Sequence, residues 1–146
     1  MASENGTRGA LVILVDREGR LLLQLRDAKQ GIALPGVWSM TGDALEAGES
    51  PTEGARREVR EEIGQAVGPL HFVSSVRPDR RTAYVFCAGA SFSEEAIVVG
   101  EGQAFRFFSW DDIRRLQPIA PFVIPLLTGF MTGPLYERCK QDAREP

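Results

Sequence analysis

Apolar residues run through 10–15 and again through 21–25, with the polar, glycine-containing stretch Asp16-Arg17-Glu18-Gly19-Arg20 between them, a pattern that predicts two strands joined as a hairpin. A stretch punctuated by Gly31, Pro35 and Gly36 follows, then a short apolar segment at 37–40. From Ser50 the period changes. Ala55, Val59 and Ile63 recur at helical spacing, and Ser50-Pro51-Thr52-Glu53 reads as a capping box with proline at the first helical position. Gly64 suits the left-handed residue just past a helix end. Beyond it, residues 70–76 and 83–88 predict two strands around the polar turn Arg77-Pro78-Asp79-Arg80-Arg81, and 104–108 predicts another. Ser109 is a plausible N-cap for a helix over 110–116, and 121–131 reads as a closing helix. No repeat or low-complexity tract interrupts this order, and only 1–7 and 141–146 are expected to fray. The expectation is one domain over 1–146, with a mixed sheet between helices.

Composition supports an independent core. The chain has 146 residues, 43% of them apolar, enough to fold without disulfides or structural metal. The net charge of −3 supplies no basic field for a nucleic-acid backbone, so long DNA or RNA is excluded as an expected partner. Cys87 lies in an apolar run and Cys139 in a polar tail, with no CxxC or His/Cys cluster, so zinc is unsupported and a reducing compartment is the default. No stretch has the length and apolarity of a membrane span or a signal segment. A soluble, cytoplasmic protein is expected, as a monomer or homodimer.

The helix from residue 51 carries the chemistry. Glu58, Glu61 and Glu62 lie at spacings of three and four, so they share an arc of roughly 100°. Glu58 and Glu62 have no basic residue three or four positions away, and each like-charge pair costs roughly 0.2–0.5 kcal/mol on an exposed helix. A solvated face laced with Arg–Glu pairs accounts for Arg57 with Glu53 or Glu61, but not for this pair. A hard divalent cation reverses the sign, since Mg2+ and Mn2+ favour carboxylate and water oxygens. Such an ion can neutralise phosphoryl charge and activate a water, which is what phosphoanhydride cleavage requires.

Residues 42–65 resemble the Nudix box, the signature of the Nudix hydrolases: a glycine, five residues, glutamate, seven residues, then Arg-Glu-apolar-any-Glu-Glu-any-Gly-apolar. Glu49, Arg57, Glu58, Val59, Glu61, Glu62 and Gly64 fall in register. Asp43 stands where the first glycine belongs, and Gln65 where an aliphatic residue is usual. Gly42 matches the extra glycine that commonly precedes the box, while Thr41 replaces a frequent proline. The resemblance implies an α/β fold, the Nudix α/β/α sandwich with a mixed sheet. It also implies Mg2+, with Mn2+ as a substitute, held chiefly by Glu58 and Glu62. Glu61 would ligate directly or through water, the Gly42 carbonyl would add an oxygen, and Arg57 would orient Glu49 by a salt bridge. A loop glutamate often serves such enzymes as a further ligand or base. Glu101 is that candidate here, in a Glu-Gly-Gln string similar to the MutT-like branch, with Glu94 and Glu95 as competitors. Whether Glu58 or Glu101 is the base stays open. Asp43 is expected to hold its loop at some strain, in place of a residue free to adopt left-handed conformations.

Arg26 ends the second predicted strand and Arg77, Arg80 and Arg81 cluster in one turn, so Arg26, Arg77 and Arg81 are candidates to face a polyphosphate. Trp38, Phe107, Phe108 and Trp110 could stack on a base, yet at least two should be core. The sole histidine, His71, has no nucleophilic serine or cysteine context and reads as structural. The expected activity is a metal-dependent pyrophosphohydrolase acting on a nucleoside diphosphate linked to another group, foremost a nucleoside or deoxynucleoside triphosphate. Residues 117–125 offer no Asn or Asp to read an oxidised guanine. The alternative is a catalytically weak Nudix module that binds a nucleotide as a sensor or partner domain; intact Glu58, Glu61 and Glu62 argue against it and Asp43 leaves it open.

Overall fold

The computed structural model describes residues 8–26, 36–78, 80–100 and 104–145. Its centre is β1 (Arg8–Val15), paired in parallel with β6 (Thr82–Gly89) from Arg8↔Thr82 to Val15↔Gly89. β5 (His71–Val76) continues the sheet antiparallel to β6. On the other side, β1 meets β2 (Leu21–Leu25) only at Val15↔Leu21, through a turn closed by Asp16, whose carboxylate accepts from the Glu18 and Arg20 amides at 3.0 and 2.8 Å. The two strands then part, and the segment 38–44 fills the fork. Its first half, β3 (Trp38–Ser39), pairs with β2, and its second, β4 (Thr41–Ala44), pairs with β1. β7 (Ala104–Phe108) lines the far edge of β2.

Because β1 is covered on both faces, it reads as a continuous apolar run rather than an alternation. Ala10, Val12 and Leu14 face α1 (Pro51–Ile63), packing against its predicted stripe of Ala55, Val59 and Ile63. Leu11, Ile13 and Val15 face α3 (Val123–Thr132) and α4 (Pro134–Arg144), meeting Val123, Leu127, Phe130 and Cys139. Helices thus cover both faces of a mixed sheet, the α/β sandwich that the sequence implied. Between β7 and α3 lies the short α2 (Trp110–Ile113), capped as predicted by Ser109, whose hydroxyl accepts from the Asp112 amide at 3.1 Å; it ends before 116.

Two expectations change. The reading stopped the fork segment at Met40, whereas Thr41–Ala44 is a strand; its Thr-Gly-Asp-Ala sequence has little strand propensity, and pairing with β1 imposes the conformation. Residues 141–144, expected to fray, complete α4. The stripe of this helix is narrow and made of small residues, Cys139 and Ala143, so the surrounding Glu137, Arg138, Lys140 and Gln141 make it look like a polar tail. Both small residues are fully buried against the sheet. His71 Nε2 lies 2.9 Å from Asp142 Oδ2, a structural pairing across β5 and α4. Among the described residues no helix is long and apolar enough to cross a membrane.

Gly89 sets how closely α4 approaches β6: a methyl there would sit 2.5 Å from the Ala143 nitrogen and 2.6 Å from the Cys139 carbonyl oxygen. Both are backbone atoms of the helix, so only movement of α4 relieves the overlap. Gly89→Ala is expected to cost about 1–3 kcal/mol of stability by overpacking. Urea unfolding measures it, and an unchanged midpoint would show that the helix can shift freely.

Candidate active site

The caps predicted for α1 are present. Ser50 Oγ accepts from the Glu53 amide at 3.1 Å, Glu53 Oε1 accepts from the Ser50 amide at 2.9 Å, and Gly64 ends the helix at φ 68°. With Ala55, Val59 and Ile63 seated on the sheet, the adjoining face brings Glu58 and Glu62 inward, to 5% and 1% exposure, and leaves Glu61 in solvent. The three carboxylates are therefore not equivalent: two are buried side by side and one guards the rim.

Arg57 organises the rim. Its Nε and Nη2 donate to the two oxygens of Glu49 at 2.7 and 2.9 Å, a bidentate fork that holds Glu49 below the usual carboxylate range. Its Nη1 donates to Glu58 at 2.9 Å and Glu61 at 3.0 Å, and Nη2 also reaches the Ala44 carbonyl at 3.2 Å. Its own pKa rises, chiefly through the bond to Glu49. The expectation that Glu58 has no basic partner on its helix is thus corrected. Neighbours one residue apart do not face each other on a helix, but the arginine is long enough to curl back.

Burial pushes the Glu58 carboxyl above its ordinary range, opposed by a hydrogen bond to Glu62 and by Arg57, with Asp43 adding to the rise. Two buried carboxyls in contact are stable only if a proton or a cation lies between them. Glu62 Oε1 also accepts from the Gly42 amide at 3.3 Å. Gly42 has φ 128°, and a Cβ there would fall 2.0 Å from the Ala10 carbonyl oxygen and 2.8 Å from Leu11 Cα, so no other residue fits. Asp43, by contrast, is a strand residue opposite Ala10; the strain expected of it is not required.

Two polar groups that the sequence reading passed over share this face. Thr41 stands opposite Val12 and Gln24 opposite Phe105, both partners belonging to the core beneath α1. Among the described residues, Thr41 Oγ1 and Gln24 Oε1 are buried without a hydrogen-bond partner. Such orphans call for a ligand or water. The signal for Gln24 was visible, a lone polar residue within Leu-Leu-Leu-Gln-Leu; Thr41 carried none.

A cavity opens beside Gly42, walled by Leu11, Met40, Ala83 and Phe122 and rimmed by Arg26, Asp43 and Arg81. Arg81 lies 4.0 Å from Asp43. Arg77 points elsewhere, donating to Thr82 Oγ1 at 3.1 Å and the Arg80 carbonyl at 2.8 Å, so it ties off its own turn. Trp38 and Phe107 are buried core, as expected of at least two aromatics. Glu101 lies outside the described residues; Glu94 accepts from the Phe107 amide at 2.9 Å, an anchoring role.

A family profile for the NUDIX domain matches residues 6–129. The chain is 29% identical over 120 residues to the CTP pyrophosphohydrolase of Escherichia coli K12, covering 81% of this chain and 87% of that protein. It is 38% identical over 69 residues to the nucleoside triphosphatase NudI of Klebsiella pneumoniae, a match spanning 47% of this chain and 48% of the relative. The crystal structure of a MutT protein from Methanosarcina mazei superposes with a TM-score of 0.72 at 19% identity, covering 92% and 93% of the two chains; it shares the fold.

The fork from Arg57 predicts a specific loss. Lysine keeps the charge but not the paired donors, so Arg57→Lys should cost about 1–3 kcal/mol in urea unfolding at neutral pH. Because the folded value of Glu49 is depressed, its stabilisation is present above the ordinary glutamate value of 4.5 and is lost as pH falls through the folded one. Glu49→Gln should therefore flatten the acid limb of stability below pH 4.5, and an unaltered limb would assign that limb to other groups.

Proposed function

Because this chain belongs to the NUDIX domain family, we propose that it is a Mg2+-dependent pyrophosphohydrolase. It would cleave a phosphoanhydride of a nucleoside diphosphate linked to another group, with nucleoside or deoxynucleoside triphosphates as the first choice of substrate. The observation that carries this reading is the buried Glu58–Glu62 pair beside Gly42. Relatives named for hydrolysis of CTP and of nucleoside triphosphates support the substrate class.

The residues suit a hard divalent cation. The donors are all oxygens, two carboxylates are buried in contact, and the unpaired Thr41 Oγ1 and Gln24 Oε1 on the same face offer partners for its water shell. Glu58, Glu61, Glu62 and the Gly42 carbonyl would hold it, Mn2+ serving in place of Mg2+. When bound, it supplies charge to the phosphoryl oxygens and acidifies a water. Everything else falls to the chain. Arg57 keeps Glu49 and Glu58 in fixed orientation. Arg26 and Arg81 on the cavity rim face the polyphosphate, while Leu11, Met40 and Phe122 receive the nucleoside. A water oxygen attacks phosphorus, the bridging P–O bond breaks, and the water proton passes to a carboxylate. Glu101 is our choice for that base, with Glu58 next.

A screen for phosphate or pyrophosphate release over nucleoside triphosphates, CTP included, and nucleotide sugars tests the reading. Turnover should require Mg2+ or Mn2+ and stop with chelator. Glu62→Gln removes ligand charge and the repulsion with Glu58 together, so turnover should fall by about 10²-fold or more while thermal stability holds or rises. Equal turnover of variant and wild type at saturating nucleotide and Mg2+ would sink it.

A base acts in the chemical step more than in substrate affinity. Glu101→Gln should thus lower kcat by on the order of 10²-fold with KM and melting temperature little changed. Glu94→Gln and Glu95→Gln are the controls: loss in either, with Glu101→Gln active, moves the base elsewhere.

A further inference from the structure

The last turn of any α-helix leaves carbonyls without helical donors. In α1 the Arg60 carbonyl is met by the Gly64 amide at 2.9 Å, but two others are met from a distant part of the chain: the Ile63 carbonyl by the Val98 amide at 3.0 Å and the Glu62 carbonyl by the Gly100 amide at 2.7 Å. The segment 96–100 therefore lies as a strap across the end of the helix that carries the carboxylates. Its start is fixed by Glu94, which accepts from Phe107. Burial holds it down only at Ile97, which packs on the core beneath α1, since Val98 and Val99 are 68% and 47% exposed.

What does hold it includes one of the two departures from the expected box. Gln65, where an aliphatic residue is usual, donates its side-chain amide to the Ala96 carbonyl at 2.9 Å. At the other end, Gly100 leaves no room for a side chain: a Cβ would fall 1.9 Å from the Glu61 carbonyl oxygen and 3.5 Å from that of Glu62. These are backbone atoms of a packed helix, so any larger residue must lift the strap.

We propose that Gln65 and Gly100 are positioning residues that bind the 96–100 strap to the C-terminal turn of α1 and so fix the point from which the chain runs on into residue 101. This rests on the pyrophosphohydrolase reading, in which Glu101 serves the chemical step. Misplacing a catalytic group by an ångström can cost about 10²-fold in rate while leaving the substrate pocket intact. The strap should thus act on kcat and not on KM.

Two readouts separate the ideas. Amide hydrogen exchange at Val98 and Gly100, followed by NMR on the protein alone, reports the strap directly. Steady-state kinetics with Mg2+ and CTP, or whichever nucleotide is turned over fastest, report its consequence. Gly100→Ala and Gln65→Glu, which has no donor, should speed exchange at least about tenfold and lower kcat about 10- to 10²-fold, with KM within about threefold. Gln65→Lys restores a donor and should stay near wild type in both. Unchanged exchange in Gly100→Ala and Gln65→Glu, or faster exchange with kcat intact, overturns the strap. A wild type with no turnover on any nucleotide overturns the pyrophosphohydrolase reading instead.

Discussion

The close contact of Gly42 with β1 is the constraint from which the candidate site follows. β1 and β2 part after a single paired position, and the segment 38–44 enters the fork by pairing first with one strand and then with the other. At the crossing the backbone presses against Ala10 and Leu11 with φ 128°, a conformation and a closeness that only glycine permits. The Gly42 amide is thereby aimed at Glu62. One wedge in the sheet thus places a backbone group beside the buried carboxylates and opens, on its other flank, the cavity rimmed by Arg26 and Arg81.

The carboxylate helix is then a compromise between two demands. Its apolar stripe must seat on the sheet, and that carries Glu58 and Glu62 out of water, which for Glu58 disfavours the charged form. Arg57 offsets part of this cost, bonding Glu49, Glu58 and Glu61 together, but it reaches only the outer edge of the pair. On the inner edge Glu58 and Glu62 hydrogen-bond each other and Glu62 accepts from the Gly42 amide, while among the described residues the Thr41 and Gln24 oxygens on the same face have no partner. A fold that needed only stability would replace such groups with apolar ones. Two buried carboxyls in contact, with orphaned oxygens on the same face, are the physical argument behind the proposed cation.

Local signals made much of this legible. The capping box, the period of Ala55, Val59 and Ile63, and the continuous apolar run of β1 are short-range patterns, and the structure has each of them. Spacing set Glu58 and Glu62 apart from Glu61, but their burial was not legible, because the sheet decides which side chains leave solvent. The Arg57–Glu58 bond was missed because spacing rules describe faces, not the reach of a long side chain. Strand β4 and helix α4 were missed for a common reason: neither is apolar enough to announce itself, and each exists through what it packs against, β1 in one case and the narrow gap at Gly89 in the other.

The two departures from the expected box turn out to differ in kind. Asp43 seemed to threaten the backbone, yet at its position the chain is an ordinary strand, and the residue that does need to be glycine is Gly42 before it. A carboxylate at 43 is accordingly tolerated by the fold; its charge adds to the upward shift of the Glu58 carboxyl, and it lies 4.0 Å from Arg81 on the cavity rim. Gln65 instead changes what the helix end can hold. An aliphatic residue there could only pack, whereas the amide bonds a carbonyl of the strap whose own amides complete the helix. The end of the helix and the course of the strap are consequently tied together, the Glu62 and Ile63 carbonyls of one accepting from the Gly100 and Val98 amides of the other.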